Sequence, residues 1–287
     1  MMSQHTFRSI LRVVEASDLP MVSIVGFGEP LLHRRLAQML GMLREVRPDL
    51  FLKVTSNGAL LRPSLIDRLF ASGLDLLEVS IVGISDAEYA AAMGGLSFVE
   101  VLAVVDRLRS DGRPFVIATL ETPTSSADDI RRFWAARGVE HVEVKALHRR
   151  GGYLPSRAVP VRLARGDYRS RPTLERPVEG RDGDEVLKSE ATEACHKLLM
   201  FLHVNADGDF IPCVQEINSK NVLFNIDEVD DYASILRRTF GITPTFDICS
   251  GCELQGQDLV DYYVRFILNH APSVAEALLD RRTATGG

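Results

Sequence analysis

The chain has no cysteine before Cys195, and all four of its cysteines lie in the last third of its 287 residues. Lysine is also scarce, since basic residues are mostly arginine and lysine occurs only at positions 53, 145, 188, 197 and 220. No apolar run is long enough to span a bilayer, and the polar start lacks the hydrophobic segment of a signal peptide. The sequence therefore predicts a cytoplasmic protein with no membrane partner.

The composition is that of an ordinary globular protein with an acidic balance. Hydrophobic residues make up 46% of the chain and charged residues 25%, with a formal net charge of −6. A negative net charge argues against a general nucleic-acid or anionic-membrane surface. The length fits one large domain, or a large domain followed by a small one.

Hydrophobic periodicity predicts alternating helices and short strands in the first half of the chain. Strands are predicted at residues 21–27, 51–55, 76–82, 115–120 and 142–147, and helices at 6–16, 36–43, 63–73, 98–108 and 130–136. Short strands rich in Val, Ile and Leu that alternate with helices are typical of a parallel sheet covered by helices. The series begins with a helix instead of a strand, so the first strand of such a fold is either short or missing.

The pattern changes after residue 152. Residues 153–190 are rich in Arg, Pro, Gly and acidic residues without periodicity, which predicts a linker or long loop. Segments 201–206 and 210–214 flank Asp207 and Gly208, a hairpin signal, and helices are predicted at 232–240 and 259–268. We therefore expect three parts: an α/β domain at 1–152, a linker at 153–190 and a small module at 191–287.

The four cysteines have the spacing of a metal site. Cys195 and Cys213 bracket the predicted hairpin, whereas Cys249 and Cys252 form a C-x-x-C turn. In a reducing compartment such a set indicates a metal or an iron–sulfur cluster before disulfides. Four thiolates suit a tetrahedral zinc ion and a 4Fe–4S cluster equally well, so the spacing leaves both open.

Three glycine-containing turns follow the first three predicted strands. Their sequences are GFGEP at residues 26–30, TSNG at 55–58 and SIVG at 80–83. Ligands of parallel α/β folds bind at the carboxyl ends of the strands, and glycine lets the backbone approach a ligand closely. The succession of three such turns, with a carboxylate in the first, predicts a ligand site at this edge.

These motifs and the C-terminal cysteines together resemble radical S-adenosylmethionine (radical SAM) enzymes with a SPASM or Twitch extension. The resemblance covers nearly the whole chain and implies a partial (β/α)6 barrel, here with its first strand apparently missing, followed by a small iron–sulfur domain. Four cysteines suffice for one auxiliary 4Fe–4S cluster, which corresponds to the Twitch form. A radical SAM dehydrogenase of aminocyclitol biosynthesis has a similar arrangement.

The resemblance also implies an activity and its residues. Radical SAM enzymes cleave SAM to a radical that abstracts a substrate hydrogen, and the auxiliary cluster aids oxidation or modification of a peptide or small metabolite. By motif, the SAM contacts would be Gly26, Gly28, Glu29, Pro30, Asn57 and Ser80, and the auxiliary cluster ligands Cys195, Cys213, Cys249 and Cys252. A reductant such as a flavodoxin or ferredoxin would be a partner, and nucleic acid would not. No catalytic side chain is assigned.

One defining feature of the family is absent from this sequence. The C-x3-C-x2-C loop that holds the SAM-cleaving 4Fe–4S cluster has no counterpart, because no cysteine precedes Cys195. Either the chain is short at its N-terminus or it is a relative that lost this cluster. An unpaired strand edge is an aggregation hazard, which favours a short and inactive chain. The alternatives are a catalytically silent iron–sulfur partner or scaffold and a zinc-stapled α/β binding module.

Overall fold

The computed structural model describes residues 1–26, 28–145, 201–214, 216 and 220–240. Five parallel strands form one sheet in chain order, each paired with the next. They are β1 (Met21–Ile24), β2 (Phe51–Ser56), β3 (Leu76–Ser80), β4 (Phe115–Leu120) and β5 (Val142–Lys145). The helices are α1 (Gln4–Glu15), α2 (Leu36–Val46), α3 (Pro63–Ala71), α4 (Asp86–Ala92), α5 (Phe98–Ser110) and α6 (Ala127–Ala136). The predicted alternation of strands and helices is confirmed.

Local capping explains where several helices begin. The side chains of Ser3, Ser97 and Ser126 accept hydrogen bonds from backbone N–H groups in the first turns of α1, α5 and α6. Such a cap stabilises a helix by about 1 kcal/mol relative to alanine. Helix α4 was not predicted, although Ser85 and Glu88 form the S-x-x-E signal of a helix start.

The helices cover one face of the sheet. Alternate strand residues on that face, including Leu52, Val54 and Leu77, join the main hydrophobic core with helix residues such as Leu69 and Trp134. Because side chains alternate along a strand, the residues between them lie on the opposite face, which we call the inner face. It includes a separate small cluster made by Phe51, Leu76 and Val116. A parallel sheet with helices on one face is consistent with a partial (β/α) barrel.

Strand β1 forms one edge of this sheet, and β5 forms the other. In the part of the chain that the structure describes, β1 pairs with β2 and with no strand on its other side. All four of its residues are half-buried, whereas five of the six residues of β2 are buried. The expectation that a first strand is missing stays a prediction.

A second, three-stranded antiparallel sheet lies in residues 201–240, and the name C-terminal module is used below for the described residues of this range. It contains β6 (His203–Val204), β7 (Asp209–Ile211) and β8 (Phe224–Asn225), and helix α7 (Tyr232–Phe240) follows. The predicted hairpin around Gly208 and the helix at 232–240 are confirmed. Strand β8 was not predicted, because two residues carry no recognisable alternation.

The module packs directly on α1. Val13 of α1 lies in one hydrophobic cluster with residues of the module, namely Phe210, Phe224, Ile226, Val229 and Ile235. Gly208 has φ +90°, and a Cβ placed there would lie 3.0 Å from Cγ2 of Thr6 and 2.8 Å from Cγ2 of Ile226. Helix α1 therefore buries residues on two sides, against the first domain and against the module.

Some expectations lie outside the described residues. These are the linker at 153–190, the helix at 259–268 and the exact boundaries of the three parts, which stay predictions. Among the helices in the described ranges, none is long and apolar enough to cross a membrane.

Candidate functional site

The three glycine-containing turns lie side by side at one edge of the sheet. Strands β1, β2 and β3 are neighbours and parallel, so their carboxyl ends meet at the same edge. Each turn begins within two residues of the carboxyl end of one of these strands. The fold thus places the sequence motifs at neighbouring strand ends, as predicted.

Glu29 joins the first two of these turns. Its Oε1 accepts the backbone N–H of Leu31 at 3.0 Å, which caps the short 3₁₀ helix Pro30–Leu32. Its Oε2 accepts the backbone N–H of Asn57 at 2.8 Å. A carboxylate offers about four acceptor positions, so both oxygens can still accept a further hydrogen bond. Glu29 therefore holds the two loops together and keeps acceptor capacity for a ligand.

Asn57 is held by several local hydrogen bonds. Its Oδ1 accepts the backbone N–H of Ala59 at 3.0 Å, and its carbonyl oxygen accepts the hydroxyl of Tyr89 at 3.4 Å. The next residue, Gly58, has φ +79°, and a Cβ there would lie 2.8 Å from Cγ2 of Val101. Glycine is needed at this position because φ is positive and because a Cβ would collide with Val101. The backbone conformation of the turn is therefore well defined.

The first turn has an open backbone. Gly26 and Gly28 are exposed, and a Cβ placed on either glycine would meet no atom within 4 Å. Pro30 starts the 3₁₀ helix and donates no N–H, and the carbonyl oxygens of Glu29 and Pro30 accept the backbone N–H groups of Leu32 and His33. The exposed backbone at Gly26 and Gly28 leaves room for a ligand to approach this turn closely.

Ser80 ends β3 on the inner face. It is half-buried and lies opposite Ala118 of β4 in the parallel register. The structure thus brings Ser80 to the same strand edge as Glu29 and Asn57.

Glu88 is a site-forming residue that was not predicted. Its Oε1 accepts the hydroxyls of Thr122, Thr124 and Ser125 in the loop after β4, and its Oε2 accepts the backbone N–H of Ile84 after β3. Burial raises the pKa of Glu88, but these hydrogen bonds lower it more, from 4.5 to about 2. Glu88 therefore holds the loops after β3 and β4 together, as Glu29 does for the loops after β1 and β2.

On the inner face, three charged side chains from three strands form one cluster, and Glu143 of β5 lies on the same face. Lys53 Nζ lies 2.7 Å from Oε2 of Glu78, and Lys145 Nζ lies 3.3 Å from Oε1 of Glu78. Burial raises the pKa of Glu78, yet the positive charges of Lys53 and Lys145 lower it further, to about 2. The signal in the sequence was a charged residue inside each of the two apolar strands β2 and β3, which is unusual for buried strands, together with Lys145 at the end of β5.

The cysteine site lies largely outside the described residues. Cys213 is half-buried in the segment after β7, whereas Cys195, Cys249 and Cys252 are not in the described ranges. Within those ranges, no group of three or more His, Cys, Asp and Glu side chains is placed to hold a metal ion. That the four cysteines form one site stays a prediction, and so does the identity of its occupant, a zinc ion or an iron–sulfur cluster.

The first part of the chain is similar to a known protein family. Residues 3–133 match the family described as the Radical SAM superfamily. A search of curated protein sequences finds no match to the chain.

Several solved structures share the fold. Hexahistidine-tagged anSMEcpe with bound AdoMet is 14% identical, with a TM-score of 0.59 over 90% of this chain and 72% of that chain. Native anSMEcpe with bound AdoMet and Cp18Cys peptide is 15% identical, with a TM-score of 0.58 over 88% of this chain and 79% of that chain. Streptococcus suis SuiB bound to precursor peptide SuiA is 17% identical, with a TM-score of 0.60 over 80% of this chain and 57% of that chain. At these identities the similarity concerns the fold.

The residues at this edge fit SAM, but they do not fit the 4Fe–4S cluster that cleaves SAM in radical SAM enzymes. The exposed backbone at Gly28, the spare acceptor capacity of Glu29 and the half-buried Ser80 suit a molecule with an ammonium group and hydroxyls, such as SAM. The family's SAM-cleaving cluster requires three thiolates beside the sheet, and no cysteine precedes Cys195. The described part of this chain therefore has donors and acceptors for SAM but no ligands for that cluster.

Proposed function

We propose that this chain, whose residues 3–133 form a domain of the radical SAM superfamily, binds S-adenosylmethionine along the carboxyl ends of β1, β2 and β3. The observation that carries the proposal is the pair of hydrogen bonds made by Glu29. They hold the open turn around Gly28 beside the loop of Asn57 without using all acceptor positions of the carboxylate. The site is thus organised before any ligand arrives, which lowers the entropic cost of binding.

The residues of this edge have separate roles in binding. The carbonyls at Gly26 and Gly28 and the carboxylate of Glu29 accept the ammonium group of SAM, with Pro30 setting the course of the chain after them. Asn57 shapes the second loop and presents its side-chain amide, and the hydroxyl of Ser80 contacts the nucleoside part. SAM supplies a hydrogen-abstracting radical when it is reductively cleaved, and these residues orient it for that chemistry.

The cleavage step itself is not assigned to these residues. The first 194 residues contain no thiolate, so they do not provide the cluster that reduces SAM. Binding and orientation of SAM are what Glu29 and its neighbours supply. Activity as a radical enzyme, oxidising or otherwise modifying its substrate, requires a reducing cluster in addition to these residues, and a flavodoxin or ferredoxin as electron donor.

A peptide is the first substrate class to test, and a small hydroxylated metabolite is the second. Two structures with the same fold were determined with peptides, namely anSMEcpe with the Cp18Cys peptide and SuiB with the precursor peptide SuiA. We further propose that Cys195, Cys213, Cys249 and Cys252 hold an auxiliary 4Fe–4S cluster that accepts an electron from the substrate or binds it. Four cysteines on a small module are the support for this assignment.

Equilibrium binding tests the proposal without requiring cleavage. Isothermal titration of the full chain with SAM, and with its stable analogue S-adenosylhomocysteine, is expected to show saturable binding. Adenosine alone is expected to bind more weakly, because it lacks the ammonium group that Glu29 accepts. Equal affinities for adenosine and SAM, or no binding of either, would contradict the proposed site.

A further inference from the structure

The ion pairs on the inner face are not explained by SAM binding. Glu78 of β3 is paired with Lys53 of β2 and with Lys145 of β5, so one carboxylate contacts two ammonium groups from different strands. Burying charges is strongly unfavourable unless they are paired, and a hydrophobic residue would pack there at a lower desolvation cost. A charged cluster at the centre of a sheet face therefore calls for a functional reason.

The two lysines of this cluster differ in their surroundings. The Lys53 and Glu78 side chains are 10% and 6% exposed and lie 2.7 Å apart, which makes a short, buried ion pair. The Lys145 side chain is 39% exposed, and its ammonium group lies 3.3 Å from Glu78. Among the described residues Lys145 has no other carboxylate partner. An ammonium group has three donors, so Lys145 can bind an additional anion.

A second polar group lies beside this cluster without a partner. Oγ1 of Thr55 is buried and makes no hydrogen bond to the described residues. Thr55 belongs to the inner face of β2 and lies opposite Glu78 in the parallel register. A buried hydroxyl without a partner is destabilising, so such groups normally have one. The hydroxyl of Thr55 is a donor that a bound oxygen atom would satisfy.

The cluster lies deeper than the SAM-binding edge. Glu78 precedes Ser80 by two residues on the same face of β3, which places it about 7 Å further from the carboxyl end of the strand. The acceptors assigned to SAM lie in the loops beyond β1 and β2. A group bound between Lys145 and Thr55 would therefore lie beneath SAM, toward the centre of the sheet.

We infer that Lys145 and Thr55 bind a carboxylate group of the substrate, with Glu78 and Lys53 holding Lys145 in place. The carboxylate accepts a charge-assisted hydrogen bond from Nζ of Lys145 and one from Oγ1 of Thr55. Since the substrate would lie under SAM, this inference rests on the proposed function and narrows it to substrates with a carboxylate. A peptide with a free C-terminus or an acidic side chain meets this requirement, and so does a carboxylated metabolite.

The scarcity of lysine provides a direct assay. Labelling with ¹³C,¹⁵N-lysine leaves the ammonium groups and their donors unmodified, and with only five lysines the side-chain signals can be followed individually by NMR. The probe is N-acetylglycine, which has a carboxylate next to a peptide bond, and the matched neutral probe is N-acetylglycinamide. We expect the acid to shift the Lys145 signal in a saturable manner and the amide to leave it unchanged.

Variants test which residues make the site. Ligand-observed NMR is expected to show N-acetylglycine binding about ten-fold more weakly to K145Q and to T55V, because each loses one hydrogen bond to the anion. K145R is expected to retain binding. K220Q, which removes the same charge from an exposed lysine of the C-terminal module, is expected to bind like the unmodified chain. T55V is also expected to be at least as stable as the parent, since it removes an unsatisfied buried hydroxyl.

Three results would overturn the inference. The first is an equal response of Lys145 to the acid and the amide, and the second is binding by K145Q as tight as by the parent. The third is a response to S-adenosylhomocysteine but not to N-acetylglycine, which would assign the anion site to the carboxylate of SAM. Because the first probe contains no part of SAM, failure of this assay and failure of SAM binding are separate outcomes.

Discussion

The backbone N–H of Asn57 donates a hydrogen bond of 2.8 Å to Oε2 of Glu29, which links the loops after two neighbouring strands. The other oxygen of the same carboxylate caps the 3₁₀ helix at Leu31. One side chain thus determines the relative position of two parts of the proposed SAM site. The carboxylate at the end of β1 contributes to the architecture of the site as well as to its polarity.

Replacing Glu29 by Gln should therefore impair both stability and binding. The amide group of Gln can accept through only one atom, so one of the two backbone N–H groups loses its partner. We expect E29Q to lower the free energy of unfolding by about 1–2 kcal/mol and the affinity for SAM by about ten-fold or more. Urea unfolding and isothermal titration measure these two effects.

The matched control for this variant is E45Q, which alters an exposed glutamate of α2 away from the strand ends. E45Q should leave both quantities nearly unchanged. If E29Q bound SAM as tightly as the parent, Glu29 would not contribute to SAM binding.

Glu88 should make stability depend on pH in the acid range. Its pKa is lowered from 4.5 to about 2, so its contribution is complete above about pH 4.5 and is lost as the pH falls toward 2. The Gln variant has no carboxylate to protonate. We expect E88Q to be less stable than the parent at pH 6 and to lose less stability between pH 5 and pH 3, as measured by urea unfolding.

Glu78 contributes to stability in the same pH window, so part of the dependence should remain in E88Q. E140Q, at an exposed glutamate, is the control and should retain the full dependence. A parent and an E88Q variant with the same pH profile would mean that the hydroxyl contacts do not favour the ionised form.

Gly208 should be required for packing of the C-terminal module on α1. Alanine at this position is strained by φ +90°, and its Cβ would collide with Thr6 and Ile226. Strain alone costs about 1–2 kcal/mol, and overpacking adds about 1–3 kcal/mol. Hydrogen exchange of the α1 amides should accelerate in G208A.

Gly94 offers a control that separates strain from collision. It has φ +66°, but a Cβ there would meet no atom within 4 Å. G94A should show only the cost of the backbone strain. Equal losses of stability in G94A and G208A would exclude close packing as the reason for Gly208.

The four cysteines should bind iron and sulfide if they form the proposed auxiliary cluster. Anaerobic purification and metal analysis are expected to give about four irons per chain, as one 4Fe–4S cluster requires. Replacing Cys213 by Ser should lower the iron content, because it removes one thiolate. Zinc without iron would instead support a zinc-stapled binding module and contradict the radical enzyme assignment.

The chain by itself should not cleave SAM. With SAM and dithionite we expect no 5′-deoxyadenosine, because no cysteine precedes Cys195 to hold the reducing cluster. Chromatography of the quenched reaction, calibrated with authentic 5′-deoxyadenosine, measures the product. Formation of 5′-deoxyadenosine would show that other residues of this chain support the cleavage.

The sheet could be predicted more completely than the site. All five strands were located because short apolar segments separated by helical patterns are a local signal. The glycine-containing turns and Glu29 were also identified, since they form recognisable sequence motifs at the ends of the strands. Glu88 was missed although S-x-x-E is a known helix start, because its partners Thr122 and Ser125 lie in a loop over thirty residues away.

The sequence by itself determined the alternation of strands and helices, the three turns at their ends and the position of every cysteine. These features depend on neighbouring residues, so a local pattern is enough to predict them. Only the tertiary structure decided that Lys145 reaches Glu78 across 67 residues, because this contact depends on how the parallel strands are arranged side by side. The tertiary structure also decided that Glu29 connects two loops, since its acceptor positions are matched to N–H groups that only folding brings together.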